Sequence, residues 1–315
     1  MTPAERPNRT WVGVTDGDWF RFLRSLPNVD EVNFWMPRGQ RPFKALAVGE
    51  PFLFKLHSPE DFIVGGGFFR HFTTLPVSLA WEAFGSKNGA PDFATMRRRI
   101  ARYRKVSEAG NEDYTIGCIL LTSPFFFPED AWIPIPPSWA KNIVQGKTYP
   151  VSGAEGRALW EAVKERIDVT RTWESVEVAE ESSMYGDPVL MRPRLGQGTF
   201  RVLITDNFDR RCAATGEKAL PVLEAAHIRS VAAGGQHRVD NGLLLRSDLH
   251  RLFDRGYLTV DPSYRIHVSG RLRSDFGNGE IYYPLENQAI RLPVKAELRP
   301  NREFLKWHSE EFFKL

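Results

Sequence analysis

The sequence predicts an α+β protein built in two parts. A β-barrel, open or closed, with helices packed outside it comes first, and a smaller strand–loop–strand–helix unit follows across a linker. Three observations carry this reading. Residues 1–173 alternate short apolar runs with Pro- and Gly-marked turns. Residues 174–194 turn acidic and then Pro-containing, with no hydrophobic period, as a linker does. Residues 195–315 open on a helical pattern and contain, at 222–254, two short apolar strands around a Gly-bearing loop, then an amphipathic helix.

In the first part, Trp11–Val14 reads as a strand, and Asp16 caps an amphipathic helix over Asp18–Leu26. Glu31–Met36, Pro51–Leu56 and Phe62–Val64 follow as strands, the last running into Gly65, Gly66 and Gly67 and then Phe68 and Phe69. Pro76–Phe84 and Ala94–Tyr103 have helical periodicity, and Tyr114–Leu121 is the clearest buried strand. A Pro- and Trp-rich stretch, Pro124–Trp139, separates it from a closing strand at Lys147–Val151. Ala154–Ile167 is amphipathic through Leu159, Trp160, Val163 and Ile167. Beyond the linker, Thr199–Phe208 has the apolar spacing of a helix. There are no internal repeats.

Composition narrows the function only slightly. Hydrophobic content of 42% and charged content of 26% are those of a globular chain, and 315 residues suffice for two cores. The formal charge of +3 does not single out a polyanion binder. Residues 1–175 hold 22 basic and 20 acidic side chains, and residues 196–315 hold 18 and 15, so neither half stands out. A basic surface would need local clustering, and Arg97, Arg98, Arg99, Arg102, Arg104 and Lys105 offer it or form a solvated helix face. Two distant cysteines, Cys118 and Cys212, exclude a disulfide framework or an all-cysteine zinc site and suit a reducing cytoplasm. No apolar run has spanning length, and the N-terminus lacks the apolar core of a secretion signal. The expectation is a cytoplasmic protein with no membrane partner.

Chemistry concentrates in LEAAHIRSVAAGGQHRVDNGLLLRSDLHRLFD, residues 223–254. His227 ends the first strand, Gly234 and Gly235 permit a sharp loop, and Asp240 and Asn241 precede the second strand at Leu243–Leu245. Ser247 or Asp248 caps the helix, on which His250 and Asp254 lie four apart and share one face. A neutral imidazole suits a general base at cellular pH, which gives His227 that part. His250 and Asp254 offer one nitrogen and one oxygen to a single divalent ion such as Mg²⁺ or Mn²⁺. The Asn241 amide, donor and acceptor together, can bridge two backbone segments. This combination points to metal-dependent hydrolysis of phosphodiester bonds.

The order of elements resembles the ββα-metal fold of HNH endonucleases. GQGTFRVLITDNFDRRCAATGE, LPVLEAAHIRS, NGLLLRSDLHRLFDRGYLTV and the tail at Leu305–His308 are similar to bacterial HNH proteins of the restriction type over about residues 195–310. The resemblance implies DNA hydrolysis, with His227 as base, Asn241 as brace, and His250 and Asp254 as metal ligands. Two departures stand out. Many HNH proteins carry an acid or histidine just before the base, where this chain has Ala226, so another residue substitutes or the metal has only two protein ligands; Glu224, two residues back, is a substitute or a solvent-facing acid. Paired zinc-knuckle cysteines are also missing, which leaves Cys212 as a small buried side chain.

The first part resembles the PUA-like superfamily, with its SRA, EVE and ASCH domains, in architecture and in EVNFW, GEPFLFKLHSP, VGGGFF and LPVSLAWEAFG. That resemblance implies a reader of a flipped modified base, cytosine above all, and the whole then reads as a modification-dependent DNA restriction endonuclease. Stacking and edge hydrogen bonds must offset the cost of extrusion. Trp35 and Asn33, then Phe68, are the candidate pocket residues, with barrel core as their other reading; Trp81, on a helix, adds to the supply of aromatics, and His57 and His71 read as ordinary. Two further readings stay open: a reader with an inactive nuclease part, and a nuclease directed at RNA. One such site nicks one strand, so cutting both predicts two copies acting as a homodimer.

Overall fold

The computed structural model describes residues 7–39, 41–105, 113–178 and 195–315. It divides into two compact units, Met1–Pro193 and Arg194–Leu315. The stretch read as a linker lies, from residue 179 to 194, outside the described residues. Its first residues continue a helix.

The first unit is one mixed sheet with helices against it. Its strands are β1 (Arg9–Thr15), β2 (Glu31–Met36), β3 (Pro51–Leu56), β4 (Phe62–Pro76), β5 (Thr115–Phe126), β6 (Ile133–Pro134) and β7 (Gly146–Pro150). The order is β2-β5-β4-β3-β1-β7, with β6 on β4, and only β1 and β3 run parallel. Of the open and closed alternatives the sheet takes the open one, since among the described residues β2 and β7 are unjoined ends. The glycine run does not end a strand. It lies inside the 15-residue β4, where a Cβ on Gly65 would stand 2.3 Å from the Phe125 carbonyl oxygen, and one on Gly66 2.7 Å from that of Phe52. These glycines admit the backbones of β3 and β5, not a planar ligand.

The helices are α1 (Gly17–Arg24), α2 (Val77–Phe84), α3 (Phe93–Arg104) and α4 (Ala154–Val178). Asp16 caps α1 as expected, its Oδ1 accepting from Trp19 N–H at 2.9 Å, and Asp92 caps α3 in the same way. The arginines of α3 do not form a free basic stripe. Arg99 donates to the Gly89 carbonyl, Arg102 pairs with Asp16 at 3.1 Å, and Arg104 donates to the Pro37 carbonyl at 2.6 Å. Helix α4 outruns its predicted end at Ile167 and covers one sheet face through Leu159, Trp160 and Val163, which meet Val12, Leu53 and Ile63.

The second unit contains α5 (Gln197–Asn207), β8 (Leu223–His227), β9 (Gly242–Arg246), α6 (Ser247–Asp254), β10 (Leu258–Val260), β11 (Ile266–Val268), α7 (Arg271–Phe276) and α8 (Arg302–Trp307). Its core joins Phe200 and Ile204 of α5, Leu243–Leu245 of β9, and Leu249 and Phe253 of α6. His308 closes the core from the C-terminal side. Its ring stacks on Phe253 at 3.8 Å, with Nδ1 2.8 Å from Thr259 Oγ1 and Nε2 3.2 Å from the Phe253 carbonyl oxygen. Because that carbonyl only accepts, Nε2 donates and Nδ1 accepts, which is the neutral form.

Burial pushes His308 down to about 4, so between that value and about 6.5 the unfolded chain binds the proton that the folded one refuses. The neutral ring's stability is full above pH 6.5 and is lost as pH falls toward 4, on the order of 3 kcal/mol in all. Urea unfolding at pH 7.5 and 4.5 checks this. His308→Gln is expected to flatten the acid loss, and an equal acid loss in both proteins would refute the assignment.

Candidate active site

Strands β8 and β9 pair antiparallel, with His227 opposite Gly242 and Ala226 opposite Leu243, and α6 follows β9 directly. Neither expected cap operates on α6. Ser247 is its first residue, and Arg246 holds the Asp248 carboxylate through two bonds of 2.7 Å, taking the acid away from the helix end.

The loop between the strands is tied by one side chain. Asn241 is fully buried; its Oδ1 accepts from Arg229 N–H at 2.9 Å, and its Nδ2 donates to the carbonyls of Arg229 and Gln236, each at 2.9 Å. Gly234 sits at φ +82°, and a Cβ on Gly235 would stand 1.9 Å from the Arg229 carbonyl oxygen, so the turn needs both glycines. The amide thus joins the two ends of the loop across eleven intervening residues, Ser230 to Asp240.

His227 lies face to face with Phe200 at 4.0 Å, 12° from parallel, and its Nε2 is 2.9 Å from Nδ1 of His237. Burial, with the neighbouring His237 acting in the same direction, lowers His227 to about 4. It is therefore neutral at cellular pH, the state in which an imidazole accepts a proton. The negative charge of Asp254 is felt there too, so base and acid share one neighbourhood.

His250 stands between two carboxylates. Nδ1 is 2.6 Å from Glu224 Oε2, and Nε2 is 3.2 Å from Asp254 Oδ2. Burial opposes protonation of His250, but the hydrogen bonds and charges of Asp254 and Glu224 prevail and raise its pKa. Glu224 thus meets the imidazole while its side chain stays 41% exposed to solvent.

Among the described residues no three His, Cys, Asp or Glu side chains form a ready metal cage. The donor set nevertheless suits a small divalent ion. The 3.2 Å between Nε2 and Oδ2 is close to the roughly 3 Å edge of an octahedron with bonds of about 2.1 Å. Glu224, on the other ring nitrogen, occupies the place of an outer carboxylate that orients a ligating histidine.

Ala226 is fully buried within the core. Its side chain points inward, so an acid placed there would be buried. Ala226→Asp is expected to destabilise the unit by about 3 kcal/mol through a buried unpaired carboxyl, with no tightening of Mn²⁺ binding. Thermal melting and calorimetric titration check both parts, and tighter binding in a stable variant would contradict the reading.

Sequence reasoning brought together His227, Asn241, His250 and Asp254, and the fold gathers them. It passed over His237 and Phe200. His237 stands ten residues after His227, in the same loop, and only the return of that loop makes them neighbours.

The first unit holds a cavity of about 390 Å³ walled by aromatic rings, Trp11, Trp19, Phe34, Trp35, Phe52 and Tyr103 among them. Trp35 lines it. Asn33 and Phe68 do not: Asn33 is buried against Asn88 and Cys118 at 2.9 and 3.4 Å, and Phe68 packs in the core beneath α4 beside Phe125. Alternation puts neighbours such as Phe52 and Leu53 on opposite faces, but Asn33 and Trp35 share one, and it is the bond of Asn33 to Asn88 that holds it away from the cavity. His57, read as ordinary, lines the cavity, whereas Trp81 packs near Phe93 outside it.

Asp16 is the acid of the cavity, whose lining also includes Arg41 and Lys44. Burial works against it, but the Tyr103 hydroxyl at 2.6 Å, the Trp19 N–H and the nearby Arg99 and Arg102 hold its carboxyl below the usual range. Burial and then the Asp16 hydrogen bond push Tyr103 up to about 12, so the pair stays phenol and carboxylate.

A ββα element with a neutral strand-end histidine, a buried bracing asparagine and a helix-borne His–Asp pair defines the second unit as a nuclease module. Residues 212–261, within the second unit, match the family model of HNH endonucleases and form an HNH endonuclease domain. Among solved structures the chain matches ASCH from Zymomonas mobilis at 12% identity, covering 38% of this chain and 74% of that one, with a TM-score of 0.26. It matches the modification-dependent TagI restriction endonuclease at 12% identity, covering 94% of this chain and 79% of that one, with a TM-score of 0.28. No curated protein matches the chain. No described helix is long and apolar enough to cross a membrane.

Proposed function

We propose that this HNH endonuclease is a metal-dependent DNA restriction enzyme gated by a modified base that its first, PUA-like unit reads. The observation that carries the nuclease half is the juxtaposition of neutral His227 with the His250–Asp254 pair. His227 takes the proton of the attacking water. Asn241 holds the loop so that the imidazole keeps its aim. His250 and Asp254 would hold one divalent ion, whose charge offsets that of the phosphate and the departing oxygen. Glu224 orients His250 from behind through Nδ1.

The reader half rests on the aromatic cavity. Its volume accommodates a planar base, its rings supply stacking, and ionised Asp16 accepts from an exocyclic amine of the kind cytosine and adenine carry. Two copies, one per strand, would make a double-strand break.

One digestion series tests both halves. Purified protein with Mg²⁺ or Mn²⁺ is incubated with unmodified, 5-methylcytosine, 5-hydroxymethylcytosine and N6-methyladenine DNA, and with RNA. Cleavage of one modified DNA over the others is expected; no cleavage of any DNA would refute the nuclease reading, and indifference to modification the reader reading. Tyr103, 36% exposed, can be truncated without opening the core. Tyr103→Ala is expected to weaken binding to the preferred DNA about 10-fold through lost stacking, measured by fluorescence anisotropy, with Tyr103→Phe much less affected.

A further inference from the structure

The strand-end histidine of this site has an imidazole partner. Nε2 of His227 and Nδ1 of His237 stand 2.9 Å apart, close enough that one proton lies between them. A neutral imidazole carries a single proton, so the bond has two polarities. If His227 donates from Nε2, its Nδ1 keeps a lone pair and can accept from water. If His237 donates, the His227 proton sits on Nδ1, and that nitrogen cannot act as a base.

We propose that His237 is a positioning residue that accepts the His227 Nε2 proton, fixing His227 as the Nε2–H tautomer with Nδ1 as the basic nitrogen. Three contacts hold His237 to this task. The Gln236 carbonyl next to it is tied by the Asn241 amide at 2.9 Å. Phe200, stacked on His227, also meets the His237 ring at 5.7 Å between centroids. The two histidine rings cross at 61°, which directs the edge of one toward the nitrogen of the other. The brace at Asn241 therefore sets the base twice, through its loop and through the partner it carries.

The proton balance is simple. Water gives a proton to Nδ1 of His227, the Nε2 proton stays between the rings, and the resulting imidazolium donates to His237 in a charge-assisted bond stronger than the neutral one. Nothing leaves the pair until Nδ1 releases its proton. His227 is neutral beforehand because burial, His237 and His250 outweigh the attraction of Asp254.

This inference rests on His227 being the base, and its test separates the two. Long-range ¹H–¹⁵N correlation spectra of the metal-free protein at pH 7.5 read the His227 tautomer without any turnover. Wild type is expected in the Nε2–H form. His237→Ala is expected to give a mixture of tautomers and single-turnover DNA cleavage slowed about 10–100-fold. His237→Gln, whose side-chain oxygen accepts, is expected to restore the Nε2–H form and most of the rate. An Nδ1–H tautomer in wild type, or an unchanged tautomer and rate in His237→Ala, overturns the role of His237. Cleavage that survives His227→Ala overturns the base assignment instead.

Discussion

Replacing His227 with alanine is expected to lower DNA cleavage by about 10²–10⁴-fold, the range typical for removal of a general base. The fold should survive, because His227 ends a strand and is only partly buried, with its main contacts to Phe200 and His237. DNA binding should change little, since the ring is neutral and carries no charge for the phosphates. Single-turnover cleavage and anisotropy on the same DNA separate the two quantities. A variant that binds and still cuts at the wild-type rate would remove His227 from the chemistry. The loss should also shrink when the reaction is run in concentrated imidazole, which supplies an external base to the vacated space.

The second large effect is expected at Asn241. Alanine there takes the side-chain partner from three part-buried backbone groups, the Arg229 N–H and the carbonyls of Arg229 and Gln236. At roughly 1–3 kcal/mol for each unmet group, the second unit should lose on the order of 4 kcal/mol. For a unit of this size that lowers its melting temperature by about 10–15 °C. Asn241→Asp should be nearly as harmful, because it keeps the acceptor for Arg229 N–H but turns a second oxygen toward two carbonyls. Cleavage should fall further than stability predicts, since the loop carries His237 and sets the approach to His227. Differential scanning calorimetry with cleavage at 15 °C distinguishes lost fold from lost aim. A cool-tolerant, fully active Asn241→Ala would show that the brace is dispensable.

Much of the nuclease unit could be read from the chain because its information is local. Strand, loop, strand and helix fall within 32 residues, and the spacing of His250 and Asp254 makes them neighbours on any helix. Asn241 was recognisable as a brace through the HNH resemblance, since an isolated asparagine before a strand is most often a turn residue. The two glycines of the loop announced the turn they permit. His237 had no such signature. Its importance comes from a loop that returns to its origin, which depends on where Asn241 finds its partners.

The first unit shows the opposite case. Strand positions and the Asp16 cap were apparent from alternation and capping chemistry, but the assignment of faces was not. Asn33 was a pocket candidate beside Trp35, with Phe68 next, yet one is bonded to Asn88 and the other sits beneath α4. The basic run on α3 read as a local basic cluster or a solvated helix face, and three of its arginines, Arg99, Arg102 and Arg104, are bonded to carbonyls or to Asp16. Tyr103 and Asp16 meet across 87 residues of sequence, a distance over which periodicity says nothing.

The sequence alone therefore indicated the class of chemistry, the ββα element and four candidate residues on it, because helix and strand periods act over a few residues and the HNH resemblance lies in the same short block. The tertiary structure decided the rest. It turned Ala226 into the core, set Glu224 behind His250, brought His237 to His227, and collected an aromatic cavity from strands that are far apart in the chain. These are questions of which face is buried and which loop returns where. They are settled by packing between distant segments, whose outcome depends on the whole core and not on any local pattern.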